Sequence, residues 1–192
     1  MGMTIDPRTR GLSAAVTGAC AAGWFAWARS GESDSANLIS EVGAVAGVVI
    51  ALAGLTFAAA RYAAPHAAAA AAPRRRAIRI GVSVAVPVIA GVGVLAAVGA
   101  EQWVPVWVCA GMGLFILASA GVVETPFLTA IGVAVTASAL LAVIVAAETT
   151  LAPVIVAGLG AGTCLLVAAA GSLAAAAAAS RRTGGRARRE PA

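Results

Sequence analysis

The chain has 192 residues, of which 61% are hydrophobic and only 11% are charged. Soluble domains carry about 25% charged residues, so this composition excludes a protein whose whole surface faces water. The formal net charge is +5, and all thirteen basic residues are arginine. We therefore expect an all-α integral membrane protein, built as a bundle of transmembrane helices.

Six apolar runs of at least 18 residues follow one another along the chain. Eighteen residues of helix rise about 27 Å, close to the hydrocarbon thickness of a bilayer. The runs are continuous and do not alternate with period two, which favours helices over barrel strands. They predict six spans at about 11–28, 38–60, 78–100, 103–123, 126–147 and 151–179. Together these spans form one transmembrane domain over residues 11–180.

The remaining segments are a tail at 1–10, a basic loop at 61–77 and a basic tail at 181–192. If the N-terminus is cytoplasmic, these segments lie inside and hold every arginine except Arg29 and Arg79, and Arg79 is the second residue of the third predicted span, at its cytoplasmic end. The outer loops carry acidic residues instead, namely Glu32, Asp34, Glu101 and Glu148. This asymmetry follows the positive-inside rule and predicts both termini in the cytoplasm.

The tryptophans give an independent indication of the same topology. Trp24 and Trp27 end the first span, and Trp103 and Trp107 begin the fourth. All four would then lie at the outer interface, where an amphipathic indole is favourable.

Four arginines cluster between the second and third spans, at Arg74, Arg75, Arg76 and Arg79. Their first predicted role is to anchor the topology, and they are also candidates for contact with anionic lipid headgroups. Nucleic acid is not an expected partner, because no aromatic interleaving or folded basic module accompanies them. His66, in the same loop, has no companion ligand or base and is expected to be solvated.

Glu41 lies about three residues into the second predicted span. A carboxylate inside a span is a candidate polar site for an ion or a substrate. The alternative is a carboxylate near a helix N-terminus, which the helix dipole favours and which reaches water.

The first run has a second interpretation as a cleaved signal peptide. Arg8 and Arg10 would form its basic region, and residues 26–28 match an A-x-A site. Against cleavage, the run is long and ends in bulky aromatic residues that suit an interface anchor. A lipoprotein site at Cys20 is a weaker alternative, because Thr17 replaces the usual aliphatic residue.

Small residues at four-residue spacing predict close helix contacts, because backbones can approach there. Gly43 with Gly47 and Gly158 with Gly162 are such pairs, and association of two copies through one of them is a further hypothesis.

The three cysteines are Cys20, Cys109 and Cys164. Their spacing supports neither a disulfide framework nor a zinc site, so we expect small buried apolar residues.

Prolines and an internal similarity complete the pattern. Pro105, Pro126 and Pro153 fall in predicted first turns, whereas Pro87 lies within the third span and should kink it. Residues 80–113 and 131–160 follow a similar order of motifs. This similarity indicates either a duplicated helical hairpin or coincidence in a low-complexity sequence.

The segment WVPVWVCAGMGLFILASAGVVETPFLTAIGVAVTA covers residues 103–137. It resembles the paired-helix segment of small multi-pass membrane proteins from high-GC Gram-positive bacteria, chiefly at Trp103, Gly113, Leu114, Pro126 and Gly132. These proteins have no assigned activity. The resemblance therefore implies location in a bacterial cytoplasmic membrane and transfers no site.

No catalytic motif can be assembled, so neither an enzyme nor a cofactor is expected. We expect a structural or accessory membrane protein, with a membrane-protein partner or a second copy as its partner. The alternative is a small carrier or channel for an apolar or neutral solute. A polar cavity lined by Glu41, Ser83, Thr136 or Ser138 would favour the carrier, and a dry core of small residues would favour the structural role.

Overall fold

In the computed structural model, the described part of the chain forms a bundle of six α-helices. The structure describes residues 7–31, 34–59, 71–123 and 126–187, and no strand occurs within these ranges. The helices are α1 (Pro7–Ala28), α2 (Asp34–Ala59), α3 (Ala71–Ala97), α4 (Val104–Val123), α5 (Pro126–Glu148) and α6 (Pro153–Ala187). Two short 3₁₀ helices, Arg29–Gly31 and Glu101–Trp103, follow α1 and precede α4. The all-α fold class is confirmed.

Prolines mark the starts of the helices. Pro7, Pro126 and Pro153 are the first residues of α1, α5 and α6, and Pro105 is the second residue of α4. The fixed φ of proline suits this position, and its missing N–H is one that a helix leaves unpaired there anyway. The first-turn predictions are therefore confirmed. Pro87 lies inside α3, which continues through it as one helix.

A glycine cap ends α3. Gly99 has φ +73°, a left-handed conformation that glycine adopts without steric cost. The N–H of Ala100 donates to the carbonyl of Leu95 at 2.8 Å, and the N–H of Gly99 donates to that of Ala96 at 3.2 Å. These two bonds form a Schellman motif, which satisfies carbonyls that the helix end would otherwise leave open.

Two helices extend beyond the predicted spans. α3 begins at Ala71, so residues 71–77 of the predicted basic loop are helical and the arginine cluster lies on the first turns of α3. α6 continues to Ala187, into the predicted C-terminal tail. Alanine and arginine are both good helix formers, which suits the start of α3 and the continuation of α6 through Arg181 and Arg182.

The central helix is α6. It contacts α1, α2, α4 and α5, and the most extensive contacts of the bundle join α1 to α2 and α1 to α6. Among the described α-helices, α3 packs against α4 alone. It therefore lies at the edge of the bundle.

The contact between α1 and α2 brings the two backbones together at glycines. A Cβ atom added to Gly47 would lie 2.8 Å from the carbonyl oxygen of Gly18. One added to Gly54 would lie 2.6 Å from that of Gly11. The helices run antiparallel, with Gly11 opposite Gly54 and Gly18 opposite Gly47. Such close approach lets many backbone atoms make van der Waals contact, which drives helix association in lipid.

The predicted glycine pairs both lie at contacts with α1. Gly43 packs on the ring of Phe25, as does Gly162, where an added Cβ would lie 3.0 Å from ring atoms. At Gly158 the added Cβ would lie 2.9 Å from the carbonyl oxygen of Trp24. The glycines of α2 and of α6 thus pack against α1 from two sides, and both contacts are within one chain.

The interior of the bundle is built from small residues and its exterior from large ones. Alanine supplies most of the buried apolar positions, including Ala21, Ala139, Ala142, Ala157 and Ala161. Large aliphatic side chains are exposed on several helices, among them Leu38, Val45, Leu52, Ile89, Leu140 and Ile144. Contiguous apolar surface on this scale does not suit a protein in water. It suits a protein whose exterior contacts lipid and whose helices associate through small residues.

Four of the described helices are long and apolar enough to cross a membrane, over Asn37–Ala59, Glu101–Gly121, Pro126–Glu148 and Pro153–Arg181. In α3 the apolar part, Gly81–Ala97, is shorter, and α1 does not reach the required hydropathy. Glycine, tryptophan, serine and threonine explain this, because they lower the mean hydropathy of α1. Of the six α-helices in the described ranges, four therefore meet the criterion for spanning by themselves.

Polar residues separate toward the two ends of the bundle. One end, called here the tryptophan end, holds the end of α1 and the starts of α4 and α6, and both 3₁₀ helices contact α6 there. Its residues include Trp24, Trp27, Trp103, Trp107, Arg29, Glu41, Glu101 and Glu148. The opposite end, called here the arginine end, holds Arg10, Arg79 and Arg181. The described charges are thus grouped at the two ends as the sequence predicts.

Candidate functional site

Glu41 forms an ion pair with Arg29. An oxygen of the carboxylate lies 3.0 Å from a guanidinium nitrogen, and the two side chains are 49% and 61% exposed. The pair joins the second helix to the 3₁₀ turn after the first, at the tryptophan end. Here the carboxylate lies at an exposed end of the bundle, which is the arrangement expected of an acidic residue near a helix N-terminus.

The other three residues named for a carrier cavity do not converge on one space. The hydroxyls of Thr136 and Ser138 each donate to a carbonyl of their own helix at 2.9 Å. Thr136 packs against Gly113 of α4, and Ser138 against Gly160 of α6. Ser83 is exposed on the peripheral helix α3. These hydroxyls therefore face different neighbours, and two of them lie at tight helix contacts.

The cysteines differ in environment. Cys109 is buried, and its Sγ donates to the carbonyl of Val135 at 3.4 Å, which links α4 to α5. Cys164 is partly buried, but Cys20 is exposed, so the expectation of burial is wrong for Cys20. Among the residues that the structure describes, no three His, Cys, Asp or Glu side chains form a group that could hold a metal ion.

The predicted headgroup-binding cluster is described only in part. The side chain of Arg79 is exposed at the arginine end. The side chains of Arg74, Arg75 and Arg76 lie outside the described parts, as does His66. Contact of these arginines with lipid headgroups remains a prediction.

A half-open groove of about 600 Å³ lies between α1, α4, α5 and α6 toward the arginine end. Its volume falls in the range of about 300–1,000 Å³ that is usual for small-molecule sites. Apolar side chains of α4, α5 and α6 form most of its wall, namely Met112, Ile116, Leu128, Ile131, Leu165 and Ala168. Val16, Phe115 and Phe127 also line it and remain exposed, so the groove opens sideways.

The first helix supplies a polar strip to this groove. Arg10, Ser13, Thr17 and Cys20 all line it, and their spacing of three, four and three residues places them on one face of α1. The guanidinium of Arg10 donates to the carbonyl of Ala175 on α6 at 3.3 Å. A charge that is partly buried between helices therefore lies at one end of a mostly apolar groove.

The sequence analysis does not predict this groove, although one of its walls is recognisable in the sequence pattern. The strip Arg10, Ser13, Thr17 is visible as a helical repeat, yet the run 11–28 reads first as a plain span. The other walls come from three helices far apart in sequence, and a sequence pattern does not say which helices become neighbours.

A tryptophan attaches the peripheral helix α3 to α4. The indole N–H of Trp107 donates to the carbonyl of Val88 at 3.1 Å, and its ring packs over Gly91. A second, more open hollow of about 310 Å³ lies between the same two helices. It is lined by apolar residues and contains no charged group.

No protein-family model matches this chain, and comparisons with curated proteins and with solved structures give no significant match. Functional interpretation therefore depends on the geometry described above.

Proposed function

We propose that the chain is a structural or accessory protein of a bacterial cytoplasmic membrane, with six transmembrane helices and both termini in the cytoplasm. One observation carries the functional part: the hydroxyls of Thr136 and Ser138, which lie at tight helix contacts, are bonded to the backbone, within a core of alanine and glycine. Each hydroxyl is thus used by its own helix. A protein that only packs and holds its neighbours needs such a core.

Membrane placement of α1 is supported by its length. From Arg10 to Trp27, α1 rises about 26 Å, which approaches the hydrocarbon thickness of about 30 Å. The charged and aromatic residues of α1 would then lie at the two interfaces. The arginine end, with Arg79 and Arg181, is assigned to the cytoplasm by the positive-inside rule.

Retention of α1 in the mature protein belongs to the same proposal. α1 lies between α2 and α6 and makes the most extensive contacts of the bundle. Removal of a signal peptide at residue 28 would expose the glycines of both neighbours. Intact mass measurement of the purified chain should therefore show no loss of residues 1–28.

Reporter fusions test the topology. A cytoplasm-active fluorescent protein and a periplasm-active phosphatase are fused in turn after residue 31, after residue 66, after residue 149 and at the C-terminus. Fluorescence is expected at residue 66 and the C-terminus, and phosphatase activity at residues 31 and 149. Phosphatase activity at the C-terminus would contradict the proposed topology of six spans with both termini in the cytoplasm.

Affinity purification in a mild detergent tests the accessory role. A membrane protein that co-purifies in a fixed ratio supports the proposal. It should be lost from a variant of the exposed face that binds it and kept by Gly23→Ala, where an added Cβ meets nothing within 4 Å. The exposed face of α2, with Leu38, Val45 and Leu52, offers that comparison. A monodisperse chain with neither a protein partner nor self-association would count against it.

A carrier for an apolar or neutral solute is the second candidate, and the groove near Arg10 is the observation that favours it. Transport would need a path from this groove to the tryptophan end. Ala21, Ala139, Ala157 and Ala161, which are each at most 3% exposed, fill that region. A solute flux in proteoliposomes above that of empty vesicles would favour the carrier over the accessory role.

A further inference from the structure

We propose that the groove between α1, α4, α5 and α6 binds one acyl chain of an anionic phospholipid, whose headgroup pairs with Arg10. This goes beyond the accessory role and rests only on the membrane placement proposed above. The occupant is argued from depth, charge and shape.

The depth of the groove matches one leaflet. From Pro153 at the tryptophan end to Ala175 beside Arg10, α6 rises about 33 Å, so Arg10 lies near the opposite interface. From Arg10 to Cys20 the groove follows α1 for about 15 Å, which is half of the hydrocarbon thickness of about 30 Å. An acyl chain that enters at the headgroup level would reach its end near the bilayer midplane.

The charge at the mouth favours an anion. The described carboxylates Glu41, Glu101 and Glu148 all lie at the tryptophan end, and none of them pairs with Arg10 within the described part of the chain. One guanidinium nitrogen donates to Ala175, and a guanidinium carries five N–H donors in all. A phosphate oxygen is a matched acceptor for the remaining donors, because arginine can bind phosphate through two parallel bonds.

The walls favour a flexible apolar chain. Away from Arg10, most of the lining is aliphatic or aromatic, and its remaining polar groups are the small side chains of Ser13, Thr17, Cys20 and Ser172. The apolar part contains Met112, whose unbranched side chain adapts to irregular partners. The groove is open along one side, where the exposed Val16 and Phe127 border it. A lipid can therefore enter from the bilayer without passing through a closed portal.

Native mass spectrometry of the full-length protein in detergent, with phosphatidylglycerol and phosphatidylcholine added in equal amounts, tests the site. The wild type should retain phosphatidylglycerol preferentially. Arg10→Gln should reduce this preference by about fivefold, the factor expected for one basic residue near the surface. Arg181→Gln is the matched control, because Arg181 is exposed at the same end of the bundle but does not line the groove.

Two further variants separate headgroup recognition from a structural role. Arg10→Lys keeps the charge and should keep most of the preference; a loss as large as that of Arg10→Gln would mean that Arg10 merely links α1 to α6. Ser172→Phe fills the groove and should reduce the retention of both lipids. Equal retention of the two lipids by the wild type, or unchanged retention by Ser172→Phe, would overturn the proposal. Flotation with vesicles tests membrane insertion separately, so a chain that inserts without headgroup preference refutes the lipid site alone.

Discussion

The contact between Gly18 and Gly47 allows a sharp test of how α1 is held. A methyl group on Gly47 would place its carbon 2.8 Å from both the carbonyl oxygen of Gly18 and the backbone nitrogen of Ala22. Ordinary van der Waals contact begins at 3.4 Å, so the two backbones must separate by about 0.6 Å. Neither atom belongs to a side chain that can rotate away. The helices must therefore move as units.

Gly47→Ala is accordingly expected to destabilise the bundle. Overpacking of a tight contact costs about 1–3 kcal/mol, whereas replacement of glycine by alanine within a helix contributes up to about 1 kcal/mol in the other direction. Gly23→Ala on α1 is the matched control, since an added Cβ there meets nothing within 4 Å. The difference between the two variants removes the helix propensity and leaves a steric cost of about 1–3 kcal/mol.

Unfolding of each variant by titration of a denaturing detergent into mixed micelles, followed by circular dichroism, measures this difference. Gly23→Ala should unfold at the same detergent fraction as the wild type or a higher one, and Gly47→Ala at a lower one. If Gly47→Ala and Gly23→Ala unfold together, α1 and α2 do not touch through their backbones, and the antiparallel contact is wrong.

Three further predictions concern single interactions. Arg29→Gln should change the free energy of unfolding by no more than about 1 kcal/mol, because the pair with Glu41 is exposed; a double-mutant cycle measures the coupling. Ser40→Ala should leave stability unchanged or raise it, because the buried Oγ has no hydrogen-bond partner among the described residues; a lower unfolding midpoint would reveal a partner. Trp107→Phe removes the donor to Val88, so hydrogen exchange should accelerate in α3 while α6 stays protected, and uniform protection would contradict the peripheral position of α3.

The sequence predicts local structure here better than it predicts neighbours. The starts of α5 and α6 at Pro126 and Pro153 follow from the chemistry of proline, and the use of Gly158 at a helix contact follows from its lack of a side chain. The central position of α6 does not follow in this way. Its apolar residues surround the helix on all sides, so no polar face indicates which side meets lipid.

The candidate site illustrates the same limit. Glu41 attracts notice because a carboxylate in an apolar run is unusual, yet its position at the end of the bundle, beside Arg29, depends on how α1 and α2 align. When only its own helix is considered, Arg10 is interpreted as one of the basic residues that set the topology. Its position at the mouth of a groove depends on Ala175 and on residues of α4 and α5, which are far from Arg10 in sequence.

The weak hydropathy of α1 and its position in the bundle have one physical explanation. Hydropathy measures how favourably a helix faces lipid, but a helix with neighbours on two sides offers lipid little of its surface. Gly11 and Gly18 allow α2 to approach, and Ala28 with the backbone of Trp24 receives Gly158 of α6. Large apolar residues at these positions would raise the hydropathy of α1 and at the same time separate it from both partners. The residues that make α1 a poor candidate for an isolated span are thus the same residues that allow it to pack in this bundle. We therefore expect insertion of α1 to depend on α2. Residues 1–31 expressed alone should insert into the membrane less efficiently than residues 1–59.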